Sequence, residues 1–176
     1  MKVIILDTTC SKLGWVWRLG TNISGADKVI EAISWGDAFY QLKDIDRIDE
    51  LQVWSHGNAG GVLIGKTWLT VESSDREHKD ELAKLAEKLH PKSIVWLRSC
   101  RNFHGHRGHS FARRLRDTLS CRIVGHTYNI GLWHGGMREV RPGVSPFWPV
   151  EEGGAVNSSW RSKPVVFFTT MKYLYA

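Results

Sequence analysis

Two short segments hold the side chains best suited to chemistry, Trp54-Ser55-His56-Gly57 and Arg98-Ser99-Cys100-Arg101. A histidine that moves protons and a cysteine that attacks carbonyls are the two parts thiol catalysis needs. Each segment follows a compact apolar run of the kind a buried strand makes, Leu51-Gln52-Val53-Trp54 and Ile94-Val95-Trp96-Leu97. If these runs are neighbouring parallel strands, His56 and Cys100 emerge at one edge of one sheet. The spacing of 44 residues leaves room for a crossover between them.

The rest of the chain supplies elements to hold that edge. Strands are expected at Lys2 to Leu6, Lys28 to Ile33, Asp49 to Ser55, Ser93 to Ser99 and Arg122 to Gly125, with a last one from Pro164 to Tyr175. Asn58-Ala59-Gly60-Gly61 is turn chemistry, and the pieces around Gly65-Lys66 read as a small hairpin. Ser11 to Gly20 has helix-compatible spacing, and Gly36 to Leu42 reads as a short helix. Ser74 or Asp75 caps a longer helix running to about Leu89, ended by Pro91. Gly105 and Gly108 read as a loose loop, followed by a basic amphipathic helix from Ser110 to Leu119.

Alternating strands and helices predict an α/β fold with a mainly parallel central sheet flanked by helices. One domain is expected over residues 1–176, with a core of about 1–127 plus the strand at 164–175. The segment 128–163, rich in Gly, Pro and Trp, is long for a connection and reads as a functional loop. In open parallel sheets the crevice lies beyond the carboxyl ends of the strands, where His56, Cys100 and this loop converge.

Composition bounds the function. Apolar residues make up 42% of the chain and charged residues 24%, which suits a globular domain and argues against disorder. No apolar run approaches the roughly 18–20 residues a membrane span needs, so no membrane partner is expected. Three cysteines, Cys10, Cys100 and Cys121, suit a reducing compartment, and the cytoplasm is the expected location. The net charge of +6, concentrated between Arg98 and Arg122, keeps nucleic acid open as an alternative partner.

The strings Ile48-Asp49-Glu50-Leu51-Gln52-Val53-Trp54-Ser55-His56-Gly57, Gly61-Val62-Leu63-Ile64-Gly65 and Ser93-Ile94-Val95-Trp96-Leu97-Arg98-Ser99-Cys100 resemble the caspase-like cysteine peptidase core. The nearest likeness is to its bacterial branches, among them caspase-like domains of unassigned function. Phe111-Ala112-Arg113-Arg114-Leu115 and Ile123-Val124-Gly125 continue it, so it spans about residues 47–126. Caspases proper carry Gln-Ala-Cys-Arg-Gly; this chain has Arg98-Ser99-Cys100-Arg101-Asn102 and shares only the Cys-Arg pair. The resemblance implies a three-layer sandwich and an endopeptidase acting on a peptide or protein substrate. It implies Cys100 as nucleophile, His56 as proton donor to the leaving amine, and the Gly57 and Cys100 N–H groups at the oxyanion. It implies no cofactor.

Other residues are candidates for substrate contact. Arg101, Arg138 and Arg141 are suited to grip an acidic group, because guanidinium binds carboxylate bidentately. Trp133, Trp148 and Trp160 lie among glycines and prolines, where they line a groove or pin loops. His104, His106 and His109 sit close together, but no carboxylate among them steers a ring, and no metal site is expected. His126 and His134 flank the same edge. Asp7, ending the first strand, either faces the site or caps a loop. A binding protein with a vestigial dyad remains the second reading, and the oligomeric state is open.

Overall fold

Apolar runs form a sheet because each residue they place on a pleat is covered on both sides. The computed structural model describes residues 1–9, 20–22, 24–130 and 136–153, and the backbone of 133–134 and 165–166. In chain order the strands are β1 (Lys2–Asp7), β2 (Lys28–Ala32), β3 (Glu50–Trp54), β4 (His56–Asn58), β5 (Gly61–Ile64) and β6 (Thr67–Thr70). They continue as β7 (Ile94–Arg98), β8 (Arg122–His126), β9 (Trp133–His134), β10 (Met137–Val140) and β11 (Val165–Val166). The described helices are α1 (Trp35–Leu42), α2 (Val71–Asp75), α3 (Lys79–Glu87) and α4 (Gly105–Leu119).

The central sheet has the order β10-β8-β7-β3-β1-β2. Five strands are parallel, and β10 runs antiparallel beside β8. This is the mainly parallel α/β fold expected. The order reverses at β1, so the carboxyl edge opens beside β1, β3 and β7.

The two faces differ in chemistry. Val3, Ile5, Val53, Leu97 and Ile123 share one core with Trp35 and Phe39 of α1, Leu82 of α3, and Phe111 and Leu115 of α4. All three longer helices therefore pack on one face. The helix expected from Ser11 to Gly20 lies almost wholly outside the described residues. The opposite face carries Ile4, Leu6 and Trp54 in one cluster and Trp96 with Val124 in another.

Several sequence expectations are corrected. The helix placed from Ser74 to Leu89 is two helices. Thr70 caps α2 in a reciprocal capping box with Ser73, and residues 76–78 break the run before α3. The basic helix begins at Gly105 rather than Ser110, so the supposed loose loop is its first turn. Gly108 is required there, since a Cβ would lie 2.1 Å from the Phe103 carbonyl carbon. The segment 128–163, expected as one long loop, contains β9 and β10. Of the strand expected at 164–175 only β11, paired with β9, lies within the described residues. No described helix is long and apolar enough to cross a membrane.

Between the two clusters of the second face lies Arg98, buried, its guanidinium 4.2 Å from the Trp54 ring and 4.4 Å from Trp96. It donates to Gln52 Oε1 at 3.0 Å, which also accepts Trp54 Nε1–H at 2.8 Å. Burial pushes the guanidinium down to about 9, partly opposed by the charge of Glu50, so it stays cationic at neutral pH. Removing one member of a buried charge network strands the others. Arg98→Ala is expected to lower unfolding free energy by about 3–5 kcal/mol in a urea titration; a loss under about 1 kcal/mol would contradict this role.

Candidate functional site

The pairing of β3 with β7 sets Trp54 opposite Arg98, and every earlier pair has the same offset. His56 and Cys100 keep that offset just past the strand ends. His56 is not simply a strand terminus. It opens β4, which pairs antiparallel with β5, His56 opposite Leu63 and Gly57 opposite Val62.

The small sheet β4-β5-β6 is fixed at both of its turns. At one, the Gly60 N–H donates to Asn102 O at 3.1 Å. Gly60 has φ +80°, and a Cβ there would lie 2.7 Å from Arg107 Cβ. At the other, Gly65 N–H reaches Asp7 Oδ2 at 3.4 Å, and a Cβ would lie 2.0 Å from Ile33 O. Asp7 also accepts Thr9 N–H at 2.9 Å and the Thr9 hydroxyl at 2.7 Å. Of its two sequence readings, Asp7 is thus the loop cap.

Gly57 is where the histidine segment meets the cysteine segment. A Cβ on Gly57 would lie 2.7 Å from Ser99 Oγ and 2.9 Å from Cys100 O. Only glycine permits that approach. His56 is exposed and Cys100 half-buried. The Cys100 sulfur accepts Ile130 N–H at 3.4 Å and lies 3.6 Å from Ile130 O. The next residue, Arg101, has φ +53°, a left-handed conformation that costs a non-glycine residue about 1–3 kcal/mol. Its N–H donates to Tyr128 O at 3.0 Å, which holds the turn. Cys121, by contrast, is a core thiol, pushed up to about 12 by burial.

The residues expected to touch substrate divide. Arg101 remains at the edge, half-buried, with its Nε enclosed and no hydrogen bond to it among the described residues. Arg138 does not remain available. It forks onto Glu152, with Nε 2.8 Å from Oε1 and Nη2 on Oε2. Arg141 binds Glu139, which Arg122 also grips through two bonds of 2.9 Å. The acidic-group pocket therefore keeps one of its three cations.

Trp148, named as a candidate for substrate contact, takes the loop-pinning side of its two readings. It is buried, stacked on Phe103 with centroids 5.5 Å apart, and its Nε1–H donates to Phe103 O at 3.2 Å. It pins a loop to the core. The Trp133 and His134 side chains and all of Trp160 lie outside the described residues.

The histidines also separate. His104 Nδ1 lies 2.8 Å from Glu152 O, and His109 meets Trp148 edge-on with centroids 4.8 Å apart. His126 is buried and accepts Trp96 Nε1–H at 3.1 Å. Among the described residues, no three metal-ligating side chains gather. The sequence reading passed over Ser99, Asn102 and Ile130. Asn102, a turn-former two residues after the cysteine, was the one with a readable signal.

Fold and edge together define a mixed α/β domain that presents an imidazole and a thiol on touching segments. The chain belongs to the family described as domain of unknown function DUF4347, which it matches over residues 16–137. No curated protein matches it.

Two predictions follow from the loop that crosses this edge. Trp148→Ala should cost about 3–5 kcal/mol in chemical denaturation; unchanged stability would return Trp148 to the surface. Glu152 is pushed up by burial, but bonds from Arg138 and Thr127 outweigh that and hold it below its ordinary 4.5. A depressed carboxyl stabilises the fold above its unfolded pKa, and that contribution fades as pH falls through the folded value. The stability gap between wild type and Glu152→Gln should therefore close in acid, read as urea midpoints against pH. A constant gap from neutrality down through the carboxylate range would contradict it.

Proposed function

We propose that this chain is a caspase-like cysteine endopeptidase of the cytoplasm, acting through Cys100 and His56. One observation carries the reading: at Gly57 the two segments approach so closely that no side chain fits between them. The parallel strands β1, β2, β3, β7 and β8 with an antiparallel edge strand, and the small sheet inserted after β3, support the caspase-like comparison. Free thiols at Cys100 and Cys121 suit a reducing compartment.

In this mechanism Cys100 Sγ bonds to the scissile carbonyl carbon while the thiol proton passes to the imidazole. The developing oxyanion takes hydrogen bonds from the Gly57 and Cys100 N–H groups. His56 protonates the departing amine as the C–N bond breaks. Water then hydrolyses the thioester, releasing the acid and restoring the thiol. Arg101 lies nearest the nucleophile in sequence and is the remaining candidate for contact with an acidic substrate group.

The nucleic-acid reading finds less support. Arg98 is buried, Arg114 pairs with Asp75, Arg116 with Asp117, and Arg122 with Glu139. Arg107 and Arg113 are the exposed arginines of that stretch.

The test is a peptide-library cleavage screen with wild type, Cys100→Ala and His56→Ala. Wild type cleaves, Cys100→Ala loses activity entirely, and His56→Ala loses about 100-fold or more. A peptidyl electrophile labels Cys100 and leaves Cys121 untouched. Cleavage surviving Cys100→Ala, or an unlabelled Cys100 in folded protein, would refute the assignment.

A further inference from the structure

Asn102 is fully buried two residues beyond the cysteine, and both polar atoms of its side chain and its main-chain carbonyl have partners. Its Oδ1 accepts the His126 N–H at 2.9 Å. Its Nδ2 donates to Ser99 O at 2.8 Å, Ser99 Oγ at 2.7 Å and Leu97 O at 3.1 Å, so two hydrogens are shared among three acceptors. Its main-chain carbonyl accepts the Gly60 N–H at 3.1 Å.

These partners belong to different elements. Leu97 and Ser99 lead into Cys100 at the end of β7. His126 ends β8. Gly60 turns the small sheet whose first residue is His56. One side chain and its own carbonyl thus join the thiol segment to the imidazole segment. The space for it is made on purpose: a Cβ on Gly125 would lie 2.2 Å from Asn102 Oδ1. The same amide holds Ser99 Oγ, the atom against which Gly57 closes.

Only a neutral carboxamide satisfies this set. Aspartate lacks the donor for two carbonyls and a hydroxyl, and would aim a negative charge at them. Alanine removes the side-chain partner of the His126 N–H and of the Leu97 and Ser99 carbonyls.

We propose that Asn102 is a positioning residue that fixes Cys100 against His56 by tying the end of β7 to the turn of the small sheet. This rests on the dyad reading given above.

The test is independent of turnover. The proton resonance on the His56 ring carbon between its nitrogens, assigned by its loss in His56→Ala, is recorded before and after alkylation of Cys100 with iodoacetamide. Wild type shows a shift on alkylation, because the new group sits beside the ring. Asn102→Ala and Asn102→Asp lose that shift, while Cys121 stays protected from alkylation and certifies a folded core. Ser99→Ala, which keeps the two carbonyl bonds, retains it.

The outcomes separate the two readings. No shift in wild type would overturn the dyad and the positioning role together. A wild-type shift that persists in folded Asn102→Ala and Asn102→Asp would leave the dyad standing and overturn the role of Asn102. If both Asn102 variants expose Cys121, the residue is needed for the fold as a whole, and the positioning assignment is likewise overturned.

Discussion

The register between β3 and β7 is the constraint on which the edge depends. Parallel pairing fixes Trp54 opposite Arg98, and a slip of one residue would send every side chain of β3 to the other face. Such a slip would drive Gln52 into the helix-covered core. The chemistry of the two faces therefore holds the register, and the register brings the histidine and cysteine segments together. The site inherits its geometry from the choice of which residues are apolar.

Past the strand ends the sheet no longer guides the chain, and close backbone contacts take over. Gly57, Gly60, Gly65 and Gly125 each stand where a Cβ would strike a neighbouring atom at under 3.0 Å. Gly57, Gly60 and Gly125 lie among the small sheet, the cysteine turn with the start of α4, and β8, and Gly65 lies between the small sheet and the end of β2. Side chains large enough to supply burial energy would push those elements apart. A polar bridge then replaces the missing apolar contact, as at Asn102 and Asp7. The turn after Cys100 holds a left-handed Arg101, a strain that the surrounding bonds offset. A second strap, Arg138 with Glu152 and Trp148 on Phe103, closes the returning chain over the start of α4.

Much of this was legible in the sequence for a simple reason. Buried strands of a parallel sheet are rich in apolar residues on both faces, so β1, β3, β7 and β8 announce themselves within a residue or so at each end. Residues placed just after such runs are placed at the carboxyl edge, and His56 and Cys100 needed no further information. The hairpin at Gly65-Lys66 was equally local. The failures involve partners distant in sequence. Arg138 and Arg141 looked free because their carboxylates, Glu152 and Glu139, become neighbours only when the chain returns. Trp148 sits among prolines and glycines, a composition that reads as surface, while its ring is claimed by Phe103 45 residues away. The glycines of the Gly105–Gly108 turn suggested looseness, yet Gly108 is there because Phe103 crowds it. Local composition cannot report a contact made by the fold.

The most direct test of the account is a crystal structure of the protein after reaction with a peptide aldehyde. A nucleophilic Cys100 gives a thiohemiacetal there, its thiol added across the carbonyl. The adduct oxygen should lie about 2.7–3.2 Å from the Gly57 nitrogen, with the His56 imidazole against the reacted centre. An aldehyde bound elsewhere, or an adduct turned away from both Gly57 and His56, would contradict it.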